Sequence, residues 1–153
     1  MKGITIWQPW AHLIAIGLKT IETQTRSFNY RGPLAIHAGC VIDSVAQRLV
    51  ARQWPDLVPP GGYPTRAIVA VCQLVKCRPL TDADDAAAYC QCKGYHGLIL
   101  QNVRRLIAPV PARGHLGLWP IPADLETQIR DRIVESGQRA AARRQAGKLR
   151  LES

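Results

Sequence analysis

Apolar residues near the N-terminus fall on a helical period. Trp10, Leu13, Ile14 and Gly17 stand at i, i+3, i+4 and i+7, which puts them on one face of a helix. Pro9 suits the first position of that helix, where a missing N–H costs nothing, and Gly17 suits its left-handed end. Ile4-Thr5-Ile6-Trp7 ahead of it reads as a short strand. After Gly17 the period drops to two. Ile21, Thr23 and Thr25 point one way, and Thr20, Glu22, Gln24 and Arg26 form a polar ladder on the other.

Asn29–Pro33 reads as a turn, and Leu34–Ala38 as a strand whose His37 is a hydrogen-bonded core histidine. Asp43 or Ser44 caps a helix carrying Val45, Leu49 and Val50. Four prolines and two glycines in residues 55–66 predict a loop. Ala67–Cys77 is apolar on both alternating faces, as a central strand is. Thr81–Tyr89 is an acidic short helix or loop. Leu98–Leu100 and Leu106–Val110 predict two more strands, and the segment 113–119 ends in a last one with a buried Trp119. Past Pro122 a helix is expected on Leu125, Ile129 and Ile133. Its stripe fades beyond Gly137 into a basic tail of Arg139, Arg143, Arg144, Lys148 and Arg150. Strands around one long apolar strand, with helices at both ends, predict an α+β fold built on a small closed or half-closed barrel.

Length and charge narrow this picture. A chain of 153 residues fits one domain and buries roughly 70% of its unfolded surface. The formal net charge is +9, with 13 Lys/Arg and 6 Asp/Glu in residues 1–120 against 7 and 5 in residues 121–153. The positive field therefore belongs to the body and favours a polyanion, nucleic acid first. No run of about 18 apolar residues is present and no secretory leader is expected. Five cysteines, an odd count, suggest reduced thiols and a cytoplasmic setting. Cys72, Cys77, Cys90 and Cys92 lack zinc-ligand spacing, so neither a metal site nor a cofactor is expected.

Glu22 is the lone acidic residue before Asp43, three positions from Lys19. An ammonium takes a phosphate oxygen, and a carboxylate accepts from a ribose hydroxyl or an exocyclic amine. Gln24, Arg26, Arg31 and Arg66 extend the polar set, while Tyr30 and Tyr63, each near an arginine, offer stacking surfaces. Trp7 lies near the same motifs, and Trp10 is read as core. Were the site to cut RNA, Glu22 would be the base toward a 2′-hydroxyl and Lys19, with Arg26 or Arg31, would stabilise the phosphorane charge. The Lys19–Glu22 pair also has a plain reading, as an exposed ion pair worth about 0–1 kcal/mol.

Five stretches, in order, resemble the activating signal cointegrator homology (ASCH) domain of the PUA-like group. They are Ile4-x-Ile-x-Gln8-Pro9-Trp10-Ala11-x-Leu13, Gly17-x-Lys19-x-x-Glu22, Tyr30–Ala38, Tyr63-Pro64, and Gly114-x-x-Gly117-Leu118-Trp119. The resemblance implies a small PUA-like β-barrel flanked by helices over residues 1–122, followed by a C-terminal basic helix and tail at 123–153. It also implies a cleft with Lys19 and Glu22 at its floor, suited to RNA or a nucleotide-like ligand. The family pattern Gly-x-Lys-x-x-Glu-x-Arg departs here at Gln24, and Arg26 faces the same side about 7 Å further along the strand. Some similar proteins cut RNA or deacetylate N4-acetylcytidine, and the deacetylating type carries a threonine where Glu22 stands.

Three readings follow. The first is an RNA- or modified-nucleoside-binding module with a basic cleft around Lys19 and Glu22. The second is a hydrolase on RNA or nucleosides, a weak ribonuclease or an amidohydrolase, with Lys19 and Glu22 catalytic. The third is an interaction module whose C-terminal helix engages a protein partner.

Overall fold

The computed structural model describes residues 1–133. Strand β1 (Lys2–Gln8) leads into helix α1 (Trp10–Ala15), then β2 (Ile21–Gln24) and β3 (Gly32–Ile42). Helix α2 (Ser44–Gln53) and the proline-rich loop follow, then β4 (Ala67–Pro79), helix α3 (Asp85–Ala88), β5 (His96–Pro111) and β6 (Leu118–Pro120). Helix α4 runs over residues 123–133. The basic tail from Arg139 to Arg150 lies outside the described residues.

All six strands join one sheet in the order β2-β5-β4-β3-β1-β6. The pair β1–β3 is parallel and the others are antiparallel. The ladder is open. Strands β2 and β6 are its edges, and among the described residues no backbone pairing closes the barrel expected from the sequence.

Both faces of the central strands are covered. From β3, Leu34, Ile36 and Ala38 pack with Ile4, Ile6 and the α1 residues Ala11 and Ile14, while Ala35 turns to the other face, against Ile68, Val110, Trp119 and Ile129 of α4. That alternation accounts for the apolar residues on both faces of β3 and β4. A bulge between Ile68 and Ala70 sends Val69 and Ala70 to the same side. Sequence spacing predicts two strands between residues 98 and 110, and the protein forms one of 16 residues. Register shifts opposite it, with Asn102 at φ 53°, bend this strand without ending it.

Helix boundaries follow local chemistry. Gly17 takes φ 84° after α1. Asp43 caps α2, its Oδ1 accepting from the amides of Val45 and Ala46 at 3.1 and 3.0 Å. Of the α2 residues expected to be apolar contacts, Val50 is buried, whereas Val45 and Leu49 remain exposed. Gln8 holds the proline-rich loop, since its Nε2 donates to the Pro64 carbonyl at 2.8 Å and its Oε1 accepts from the His12 amide at 2.9 Å. His12 Nε2 reaches the Leu57 carbonyl at 2.8 Å. These bonds fix the segment that delivers Arg66.

Candidate functional site

Lys19 leaves α1 and turns inward. It is 3% exposed, and its Nζ donates to the carbonyl oxygens of Ile21 at 2.8 Å and Ala88 at 2.5 Å. Glu22 Oε2 lies 3.5 Å from the same ammonium, and the Trp10 ring centroid 5.7 Å from it. The predicted pair therefore exists, but as an internal junction of β2, α3 and Trp10. The sequence places Lys19 on a cleft floor as a phosphate-binding group; in the fold its ammonium faces two carbonyls and the Glu22 carboxylate.

Burial pushes the Glu22 carboxyl above the usual range, and the Lys19 charge and hydrogen bond pull partly the other way. A carboxyl raised by folding contributes stability below its unfolded value near 4.5, and that contribution is lost as pH rises through the folded value. Glu22→Gln removes this titration. Its melting temperature relative to the parent is therefore expected to be more favourable at pH 7 than at pH 4. Thermal melts at the two pH values check the sign, and the opposite trend would contradict the burial argument.

A cavity of about 630 Å³ is lined by residues of β1 and β3, by Gln24 of β2 and by the segment that precedes β6. Gln24 of β2, Thr5 and Trp7 of β1, and His37 of β3 contribute walls, and Arg66 joins them from the end of the loop. The segment from Ala112 to Gly117, which leads into β6, covers the remaining side with Arg113 and His115. Among the described residues, no aspartate or glutamate lines it. Trp7 is 55% exposed, because alternation along β1 buries Ile4 and Ile6 and sends Trp7 outward. Arg66 is exposed and adopts φ 54°, its amide donating to the Gly39 carbonyl and its carbonyl accepting from the Ala112 amide. A non-glycine residue held in this region is backbone strain of the kind that collects at functional sites.

His37 confirms its reading as a bonded core histidine and adds something to it. Nε2 lies 2.8 Å from the Ala112 carbonyl, which can only accept, so Nε2 carries the hydrogen and Nδ1 presents a lone pair. Nδ1 is buried without a partner, and burial holds the ring's pKa below its ordinary value. Gly114 passes directly over it.

Among the other predicted residues, Arg26 is exposed with its guanidinium 5.0 Å from the Phe28 ring and beside Gly117 at the cavity's margin. Tyr30 donates to the Pro33 carbonyl at 2.6 Å, and Arg31 donates to the carbonyls of Phe28 and Tyr30, so both brace their own turn. Tyr63, expected as a stacking surface, is 8% exposed with its ring edge-on to His12 at 5.6 Å. The structure thus brings Gln24 and Arg66 to the cavity, with Arg26 beside it. Thr5, Arg113 and His115 were missed, and Trp7 was passed over. Outward alternation after Ile4 and Ile6 was the signal available for Trp7. Among the described residues, no three His, Cys, Asp or Glu side chains are placed to hold a metal ion, and no helix is long and apolar enough to cross a membrane.

An open six-stranded sheet with helices packed on it, and a cavity lined by arginine, histidine and tryptophan, define a small α+β domain. A family model described as the ASCH domain matches residues 4–111. The chain belongs to the ASCH domain family. Its fold is similar to that of the Zymomonas mobilis ASCH protein, at 11% identity and TM-score 0.53, covering 85% of this chain and 93% of that one. Two single-residue mutants of the same protein give TM-scores of 0.56 and 0.55 at the same identity. No curated protein matches the sequence.

Proposed function

We propose that this domain binds single-stranded RNA, or a nucleotide-like segment of it, in the cavity lined by β1, β3 and the segment 112–117. The observation that carries the reading is the grouping of a half-exposed Trp7 with Arg66 and Arg113 around one cavity whose described lining has no carboxylate. An exposed indole offers a stacking face to any base, and guanidinium groups at the same mouth meet phosphates. The net charge of the body supplies the long-range attraction. The basic cleft is thereby moved from the Lys19–Glu22 pair to this cavity, where Gln24 and Arg26 still contribute.

Support for hydrolysis is weaker. A buried carboxyl with a raised pKa is typical of a catalytic base. Here, however, the adjacent ammonium is engaged by two carbonyls and lines neither this cavity nor the groove described below.

Fluorescence anisotropy with a labelled single-stranded RNA tests the reading. Trp7→Ala is expected to cost about 1–3 kcal/mol of binding. Arg66→Ala and Arg113→Ala should each reduce the slope of log affinity against log salt by about 0.7. Native affinity and slope in all three variants would refute the assignment. The same samples on a denaturing gel report any cleavage.

A further inference from the structure

We infer that the groove enclosed by α1, α2 and α3 is a second binding site, and that it takes a small alkylammonium cation. The groove has a volume of about 400 Å³. Its aromatic walls are Trp10, Trp54 and Tyr89, and the residues that α2 turns toward it, Ala46, Leu49 and Val50, carry no charge. Among the described residues, Asp85 is the one charged residue in its lining. Its character is therefore opposite to that of the arginine-bearing cavity.

The shape selects among ligands. Trp54 and Tyr89 have ring centroids 5.9 Å apart and planes inclined at 66°. Inclined rings make a corner, not a slot, so a flat base stacks on one wall only. A compact, roughly spherical methylated ammonium can touch several inclined faces at once, which is how aromatic cages hold such ions. The backbone is committed to this corner. Tyr89 ends α3 at φ 58°, a left-handed conformation that bulky residues seldom adopt, and the ring it carries packs against Trp54.

Asp85 is held firmly at the edge of the groove. Its Oδ1 accepts from the Cys92 amide at 3.0 Å and from the Cys92 thiol at 3.1 Å. Both bonds use one oxygen, so the second is spared for a ligand. Lys19 is a like charge close by, 5.7 Å from the Trp10 centroid. It is offset by Glu22 at 3.5 Å and by two carbonyls, and it shows that this indole already accepts a cation.

The full chain is titrated with choline and, separately, with its neutral isostere 3,3-dimethyl-1-butanol, followed by calorimetry and by the indole N–H resonances of Trp10 and Trp54. Saturable choline binding is expected, with the neutral isostere about tenfold weaker or worse. Trp54→Leu and Asp85→Asn should each weaken choline about five- to tenfold, while Arg66→Ala leaves it unchanged. Trp54 is 40% exposed, and asparagine retains an acceptor for Cys92, so both variants should keep the parent's melting temperature. Trimethyllysine, run in parallel, shares the head group, and its affinity against that of choline tells a side-chain ligand from a free one. Equal affinity for choline and the neutral isostere would reduce the groove to an apolar pocket and overturn the proposal. So would failure of choline to saturate, or native choline affinity in a folded Trp54→Leu variant.

Discussion

Lys19→Met lowers the melting temperature by roughly 10 °C, the largest stability loss expected from a single substitution at the Lys19–Glu22 junction. The side chain is 3% exposed and ties together the Ile21 carbonyl, the Ala88 carbonyl and the Glu22 carboxylate. Methionine fits the volume but gives none of them a donor. Breaking a buried pair by removing one partner costs about 3–5 kcal/mol, because the other charge is left uncompensated. At this chain length each kcal/mol moves the midpoint by roughly 2–4 °C. Glu22→Gln should cost much less, since the ammonium keeps both carbonyls. Adding Glu22→Leu to Lys19→Met should recover part of the loss, and the double-mutant cycle isolates the coupling. A midpoint within about 2 °C of the parent for Lys19→Met would mean that the junction is not structural.

Gly114→Ala is expected to damage both stability and RNA binding. A Cβ there would lie 2.6 Å from Thr5 Oγ1, 2.7 Å from His37 Cε1 and 2.8 Å from His37 Nδ1. Neither neighbour can yield cheaply: His37 is buried and bonded to Ala112, and Thr5 Oγ1 accepts from the His115 amide at 3.2 Å. The segment 112–117 must lift instead, at about 1–3 kcal/mol for overpacking. That lift displaces Arg113 and His115 from the cavity, so affinity should fall roughly tenfold, equivalent to about 1.4 kcal/mol. Calorimetric melting and anisotropy titration check the two arms. A variant that melts and binds like the parent would show that the close packing over His37 is not needed.

The elements were largely legible in the sequence, and the site only in part. Gly17 and Asp43 marked helix ends because their backbone and side-chain chemistry is local. Residues 98–110 misled, because Asn102 and the bulges look like a break in a pattern while the ladder to β4 continues across them. Spacing placed Lys19 beside Glu22, yet it could not say that Ala88, 69 residues away, would claim the ammonium. The arginines read from the N-terminal motif were separated by turns, whereas Arg113 reached the cavity through the closing segment, a long-range effect of the topology. Trp54, Asp85 and Tyr89 line one groove although they come from distant parts of the chain, and no periodicity encodes that.

The open sheet has a consequence for self-association. An unfinished ladder normally presents a row of free amides and carbonyls on which another chain can grow. At β2 that row is four residues long. Glu22 faces Leu98 and Ile21 faces Ile99 in the antiparallel register, and the Leu100 amide reaches the Thr20 carbonyl, so the Ile21 carbonyl turns outward. It is this carbonyl that the Lys19 ammonium occupies. The same lysine that knits the interior also blunts the rim, leaving a would-be fibril or swapped strand little more than Thr23 to pair with at this end of the molecule.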